Sequence, residues 1–264
     1  MFADYHVHSH FSEDTDFPME LEIQKAIKLG MDELCFTEHS DYDVPTVVNC
    51  DYDAYFEEME KMKDKYKGQI TLKTGIEFGI QTHTTKAYEE TFRQYPFDFV
   101  IFSCHQVENK EYWRQEPQEG KTQLEYNRRY YQEILDVVKV YKDYSILGHL
   151  DVIKRYDKQG EIEFEKIQDL IEQIFAELKH KTKQHKPAWF SQAGLCCLCK
   201  TPNEVRCAPG TPKALRADGG LIVHRLQNSV GNIADLSVCN SPQEVYVVLK
   251  AGFFAKNSNS CGKA

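Results

Sequence analysis

The chain opens with residues that can do chemistry: Asp4-Tyr5-His6-Val7-His8-Ser9-His10-Phe11-Ser12-Glu13-Asp14. Side chains alternate faces along a β-strand, so His6, His8 and, if the strand runs on, His10 point the same way. Two imidazoles two positions apart can grip one metal ion. Asp14, just past the strand end, adds a carboxylate, and such nitrogen and oxygen donors suit zinc, manganese or iron. The plain alternative is an alternating edge strand whose histidines face solvent, and this stretch alone does not choose between the two. Further candidates follow at His39, Glu77, His105 and His149.

Between and around these residues the sequence alternates strands and helices. Ala3 to Ser9 reads as a first strand, and Pro18 opens a helix through Leu29 that Gly30 ends. The short apolar run Glu33 to Thr37 reads as a buried strand that delivers Glu38-His39 at its C-terminal end. A helix from about Asp53 to Tyr66 leads to a strand from Gln69 to Phe78 containing Gly75-Ile76-Glu77. A helix at Lys86 to Gln94 precedes a strand at Phe97 to Ser103, with Cys104-His105 at its end. A long helix at Glu125 to Tyr141, a strand at Ser145 to Leu147 with Gly148-His149-Leu150-Asp151 beyond it, and a helix at Phe164 to Lys179 complete the alternation. Repeated β-α units predict a parallel sheet, closed as a barrel. The candidate ligands lie within or just past the C-terminal ends of five strands, the face on which α/β barrels build active sites. A single buried histidine is unremarkable; five strands delivering metal-type ligands to one rim favour a multinuclear site.

The 264 residues contain 28% charged and 41% hydrophobic side chains, the balance of a soluble globular protein. No run of roughly 18 apolar residues exists, and no basic region followed by an apolar stretch begins the chain, so a cytoplasmic location and no membrane contact are expected. The net charge of -9 argues against nucleic acid as a partner, because phosphate backbones require a basic face. The charge is uneven. Residues 1–185 carry 23 Lys+Arg against 37 Asp+Glu, whereas residues 186–264 carry 9 against 4 and hold six of the nine cysteines. The division expected is a body at 1–185 and an atypical basic, cysteine-rich tail at 186–264.

The stretches DYHVHSHFSED (4–14), FTEHSD (36–41), GIEFG (75–79), FSCHQV (102–107) and ILGHLDVIKRY (146–156) together resemble the PHP (polymerase and histidinol phosphatase) superfamily, most closely its histidinol-phosphatase branch, across residues 1 to about 175. The resemblance implies a distorted (β/α)7 barrel, TIM-like in plan, that binds up to three divalent metal ions. It implies a metal-dependent hydrolase that converts L-histidinol phosphate to L-histidinol and phosphate in histidine biosynthesis. By the same resemblance His6, His8 and Glu77 hold a first metal, Glu77 bridges to a second held by His105 and His149, and Asp14 and His39 hold a third. A carboxylate between two cations offsets their repulsion and fixes their spacing, and water activated there attacks phosphorus in line without a covalent intermediate. Glu77 and His105 are thereby also catalytic candidates. Other phosphoesters such as nucleotides, or a defunct metal-binding role, are the alternatives.

Arg155, six residues past His149, is the candidate for gripping phosphate, since guanidinium matches its geometry in a bidentate way; a surface ion pair is the plain alternative. The segment from Glu108 to Lys121, with Trp113 and Arg114, is long for a connection between a strand and a helix and reads as a cap over the substrate, with a mobile surface loop as the plain alternative. His10 and His83 are left as structural or solvent-exposed, and Cys104 as core packing. The tail departs from the resemblance, which implies a late Gly-Ser-Asp-x-His motif. No Asp-x-His occurs after residue 151, and His224, after the apolar run Leu221-Ile222-Val223, is the sole histidine near the expected place. Three origins stay open for the tail: a reading-frame disruption, a small zinc module around Cys196, Cys199 and Cys207, or a diverged completion of the barrel.

Overall fold

The computed structural model describes residues 2–184 and, beyond them, the residue pairs 194–195, 221–222, 240–241 and 244–245. The strands are β1 (Phe2–Val7), β2 (Glu33–Ser40), β3 (Thr71–Gly79), β4 (Phe99–Ser103), β5 (Gln106–Val107), β6 (Lys110–Glu111), β7 (Ile146–Leu147), β8 (Gly194–Leu195), β9 (Leu221–Ile222), β10 (Asn240–Ser241) and β11 (Glu244–Val245). The helices are α1 (Met19–Lys28), α2 (Tyr52–Lys65), α3 (Thr85–Gln94), α4 (Gln123–Val140) and α5 (Gln168–Gln184). The main sheet is parallel, ordered β8-β7-β4-β3-β2-β1-β9. Each of the first strands is followed by a helix, as the alternation predicts, and β2, β3 and β4 are buried almost along their whole length, the pattern of a sheet covered on both faces.

Helix ends follow local chemistry. Asp51 caps α2 by accepting the Ala54 N–H, and Thr122 with Glu125 forms a reciprocal capping box on α4. The buried face of α4 presents Tyr126, Tyr130, Ile134, Val137 and Val138 to the hydrophobic core, a repeat of three and four residues. Cys104 points into the same apolar layer as Tyr112 and Tyr130, and burial pushes its thiol well above the ordinary range. No helix among the described residues is long and apolar enough to cross a membrane.

The sheet is curled. Four strand-to-strand steps separate β1 from β7, about 19 Å across a flat sheet, yet the rings of His6 and His149 at the ends of those strands are 5.8 Å apart. Curling of this kind turns one row of side chains inward upon itself.

Two expectations need adjustment. The first strand stops at Val7 and shifts register between Asp4 and Val7, so His10 falls in a turn and reaches Glu58 at 3.5 Å instead of joining the inward row. The second strand runs to Ser40, three residues past its apolar core, because β3 pairs with all eight of its residues. The body from 1 to 185 is described nearly to its end. The tail, with Cys196, Cys199, Cys207 and His224, lies outside the described residues apart from the four pairs named above.

Candidate metal centre

Glu77 sits near the C-terminal end of β3 with no exposed surface. A carboxylate is costly to bury alone, and the neighbouring strands supply its partners. Register places His39 of β2 directly beside it. Alternation then puts Gly75, Glu77 and Gly79 on the inward face of β3 and Ser103 on that of β4. The two carboxylate oxygens divide the surroundings. Toward Oε2 come His6 Nε2 at 2.7 Å, His8 Nε2 at 3.4 Å and His39 Nε2 at 3.7 Å. Toward Oε1 come His149 Nε2 at 3.0 Å, His105 Nε2 at 3.1 Å and the donating Ser103 hydroxyl at 2.6 Å. The rings pack on one another: His8 and His39 are stacked 4.4 Å apart, and His39 and His105 meet edge to face at 4.9 Å. Asp14 joins from the loop after β1, its Oδ2 3.9 Å from His39 Nε2.

Among the described residues, three groups of donors draw together closely enough to share an ion: His6, His8 and Glu77; His8, Asp14 and His39; and His39, Glu77 and His105, with ligand atoms within 4.8 Å of one another in each. The donor set fits divalent cations of the zinc, manganese or iron kind, being imidazole nitrogen and carboxylate oxygen throughout. Charge balance agrees. Five buried or half-buried imidazoles surround one carboxylate, a donor set whose nitrogens a divalent cation takes in place of protons. Burial pushes His149 down to about 4, and the charges of His105 and Arg155 add to that, so its ring is neutral near pH 7. Burial alone would raise Glu77, but the surrounding His6, His39 and His105 hold its carboxyl well below the usual range. Burial likewise works to lower His105, and the carboxylates of Asp41 and Glu77 outweigh it.

Asp41 is a buried participant that the sequence reading passed over. Its Oδ1 lies 2.8 Å from His105 Nδ1 and its Oδ2 3.8 Å from His39 Nδ1, so one carboxylate orients two rings and leaves their Nε2 atoms toward Glu77. Carboxylate partners of this sort set the tautomer of metal-binding histidines. The signal was available: Thr37, His39 and Asp41 share one face at a period of two. Gly79 is required beside it, since a Cβ there would lie 1.8 Å from Asp41 Oδ1 and 2.9 Å from His105 Nδ1. Glu38, one residue before His39, is also fully buried. Burial pushes its carboxyl up to about 7, and hydrogen bonds from Ser12 and Ser9 work against that rise.

Other candidates lie apart. Arg155 is exposed in the 3-10 turn Val152–Arg155 that follows His149, close enough for its charge to be felt at His149 and Asp151. His83 bonds Asn109 at 2.9 Å, away from the ring of imidazoles. The segment expected as a cap is ordered. Glu108 and Asn109, both at positive φ, make the tight turn between β5 and β6. The 3-10 turn Tyr112–Arg114 follows, burying Tyr112 and leaving Trp113 41% exposed beside Tyr156, ring centres 6.1 Å apart.

Comparison with known proteins accords with this geometry. The model of the PHP domain family matches residues 4–183. The histidinol-phosphatase of Lactococcus lactis subsp. lactis (strain IL1403) is 34% identical over 184 residues, 68% of each chain. A probable histidinol-phosphatase of Thermotoga maritima is 28% identical over 195 residues, 73% of this chain and 70% of that one. A solved structure of the histidinol phosphate phosphatase from L. lactis subsp. lactis Il1403, complexed with zinc, L-histidinol and phosphate, aligns with a TM-score of 0.66 and 31% identity over 74% of this chain and 72% of that one. A curled parallel sheet with histidines and a buried glutamate at the C-terminal ends of its strands, matched over two-thirds of the sequence, places this chain in the PHP domain family.

Proposed function

We propose that the chain is a metal-dependent phosphomonoesterase that hydrolyses L-histidinol phosphate to L-histidinol and phosphate, a reaction of histidine biosynthesis. One observation carries the reading: five imidazoles from distant parts of the sequence bring Nε2 within 2.7 to 3.7 Å of the single carboxylate of Glu77. The L. lactis relative, named for this reaction and solved with zinc, L-histidinol and phosphate, supports the choice of substrate.

His6, His8 and Glu77 would hold one cation, Glu77 with His105 and His149 a second, and Asp14 with His39 a third. When bound, such ions polarise phosphoryl oxygens and bring the pKa of coordinated water down to about 7. The chain's own contribution is placement. Glu77 offers one oxygen to each half of the ring and so balances positive charge on both sides. Asp41 keeps His105 aimed, and Ser103 fixes the Glu77 rotamer by donating to Oε1. Arg155, an exposed guanidinium next to the site, is assigned to the substrate phosphate, whose oxygens its fork can meet in pairs. The substrate is thus a small phosphorylated molecule, and neither nucleic acid nor membrane is expected as a partner.

The test is phosphate release by the zinc-loaded full chain, with L-histidinol phosphate set against nucleoside monophosphates. Turnover of L-histidinol phosphate at least tenfold above the nucleotides is expected. Preference for nucleotides would move the assignment to another phosphoesterase of the family, and bound zinc without turnover of either would make this a metal-binding relic. Glu77→Gln should bring turnover to background and reduce bound zinc, because removing one charge from the shared carboxylate unbalances both halves. Retained turnover in that variant would overturn the mechanism.

A further inference from the structure

Glu38 is a buried carboxylate that the reaction proposed above leaves without a part. It neighbours His39 in β2, so alternation turns it away from the row of ligands. Its partners come from the segment that follows β1. The Ser9 N–H donates to Oε1 and Oε2 at 3.1 and 2.9 Å, and the Ser9 hydroxyl donates to Oε1 at 2.8 Å. The Ser12 hydroxyl donates to Oε2 at 2.6 Å. Ser12 Oγ in turn accepts the backbone N–H of His39 at 2.9 Å and lies 3.4 Å from His8 Nδ1.

A count of protons gives this arrangement a direction. A serine hydroxyl has one hydrogen and two lone pairs. With Glu38 ionised, the Ser12 hydrogen is committed to it and one lone pair to the His39 N–H, so only a lone pair remains for His8. His8 Nδ1 must therefore carry a hydrogen. Its Nε2 then carries the ring's lone pair, and that is the atom 3.4 Å from Glu77 Oε2.

We propose that Glu38 and Ser12 are positioning residues: they hold His8 in the Nδ1–H tautomer and tie the loop bearing Asp14 to the strand bearing His39. The His8–Asp14–His39 donor group is thereby assembled before a cation arrives. The proposal deepens the metal-centre reading and rests on it. Glu38→Gln tests the direction directly. The Ser9 N–H and hydroxyl are both donors and keep the amide oxygen, so the new NH2 faces Ser12. Ser12 must then accept from it, and its hydrogen swings toward His8 Nδ1, leaving the hydrogen of His8 on Nε2, where it blocks coordination. Losing an outer partner of a ligating histidine typically lowers metal affinity by about 10- to 100-fold.

Two measurements on the full chain decide. The first needs no variant: nitrogen NMR of histidine-labelled, metal-free wild type, at a pH where the ring is neutral and Glu38 is ionised, should show His8 with its hydrogen on Nδ1. A hydrogen on Nε2 overturns the proposal. The second is zinc titration of metal-free protein. Glu38→Gln and Ser12→Ala should each lose one zinc equivalent or bind it about 10- to 100-fold more weakly, and Ser12→Thr, which keeps the hydroxyl, should restore it. Should Glu38→Gln not fold, Ser12→Ala carries the titration. Wild-type stoichiometry and affinity in these variants would sink the relay alone, provided Glu77→Gln loses zinc. Unchanged zinc binding in Glu77→Gln as well would sink the metal-centre reading.

Discussion

Around Glu77 the decisive residues include several that would not themselves touch an ion. Asp41 aligns His105 and His39, and Gly79 makes room for it. Asp41→Asn keeps the shape but can present an NH2 toward His105 Nδ1, which reverses the hydrogen bond. Zinc affinity or turnover should fall about 10- to 100-fold with little change in the unfolding midpoint of metal-free protein; a midpoint that collapses instead would mark Asp41 as merely structural. Gly79→Ala should do both kinds of damage. Its methyl occupies the space of the Asp41 carboxylate, so an overpacking cost of about 1–3 kcal/mol in urea unfolding is expected, together with weakened zinc binding. The sequence revealed His39 and Glu77 because imidazole and carboxylate at strand ends are conspicuous. It marked Asp41 only as sharing a face with His39, because its role depends on a partner 64 residues away.

Elements beyond the sheet hold the mouth of the site in shape, and Asp157 shows how. Placed just after the turn that carries Arg155, its carboxylate accepts from Tyr126, Asn127 and Gln123 of α4 and from the Gln159 N–H. Partial burial works to raise the Asp157 carboxyl, and these donors outweigh it, so its pKa lies below the ordinary value. A folded-state pKa that is depressed contributes stability above the unfolded value, about 3.9, and loses it as pH falls through the folded one. The difference in melting temperature between wild type and Asp157→Asn should therefore be constant above about pH 5 and shrink below about pH 3.9. A gap that persists unchanged into acid would assign the effect to shape and not to charge. The first four helices were legible, with boundaries close to those expected, because capping residues and apolar periodicity are local signals; the fifth begins at Gln168 after a 3-10 turn at Phe164–Lys166 and runs on to Gln184, past the expected Lys179. The end of β2 was not legible, since pairing with β3 extends it through polar residues that read as a loop.

For the whole molecule, folding and metal binding are coupled through the curled sheet. Candidate ligands from β1 and β2 meet those that follow β4 and β7 only when the strands between them are in place, so the proposed site exists in the native chain and not in the unfolded one. Removing metal with a chelator should lower the melting temperature, and restoring zinc to about 100 times its dissociation constant should return roughly 2.7 kcal/mol per site. A melting temperature indifferent to zinc would contradict a native-state site. The order of strands and helices, the parallel sheet and the types of residue at the strand ends were all determined by the sequence, since hydrophobic pattern and side-chain chemistry are properties of the chain itself. Which residues face one another was decided only by the tertiary structure. Curvature brings His6 and His149 together across four strand spacings, keeps His10 out where the chain turns, and seats Asp41 and Glu38 behind the ring of imidazoles. Such contacts come from packing between distant segments, and no local pattern encodes them.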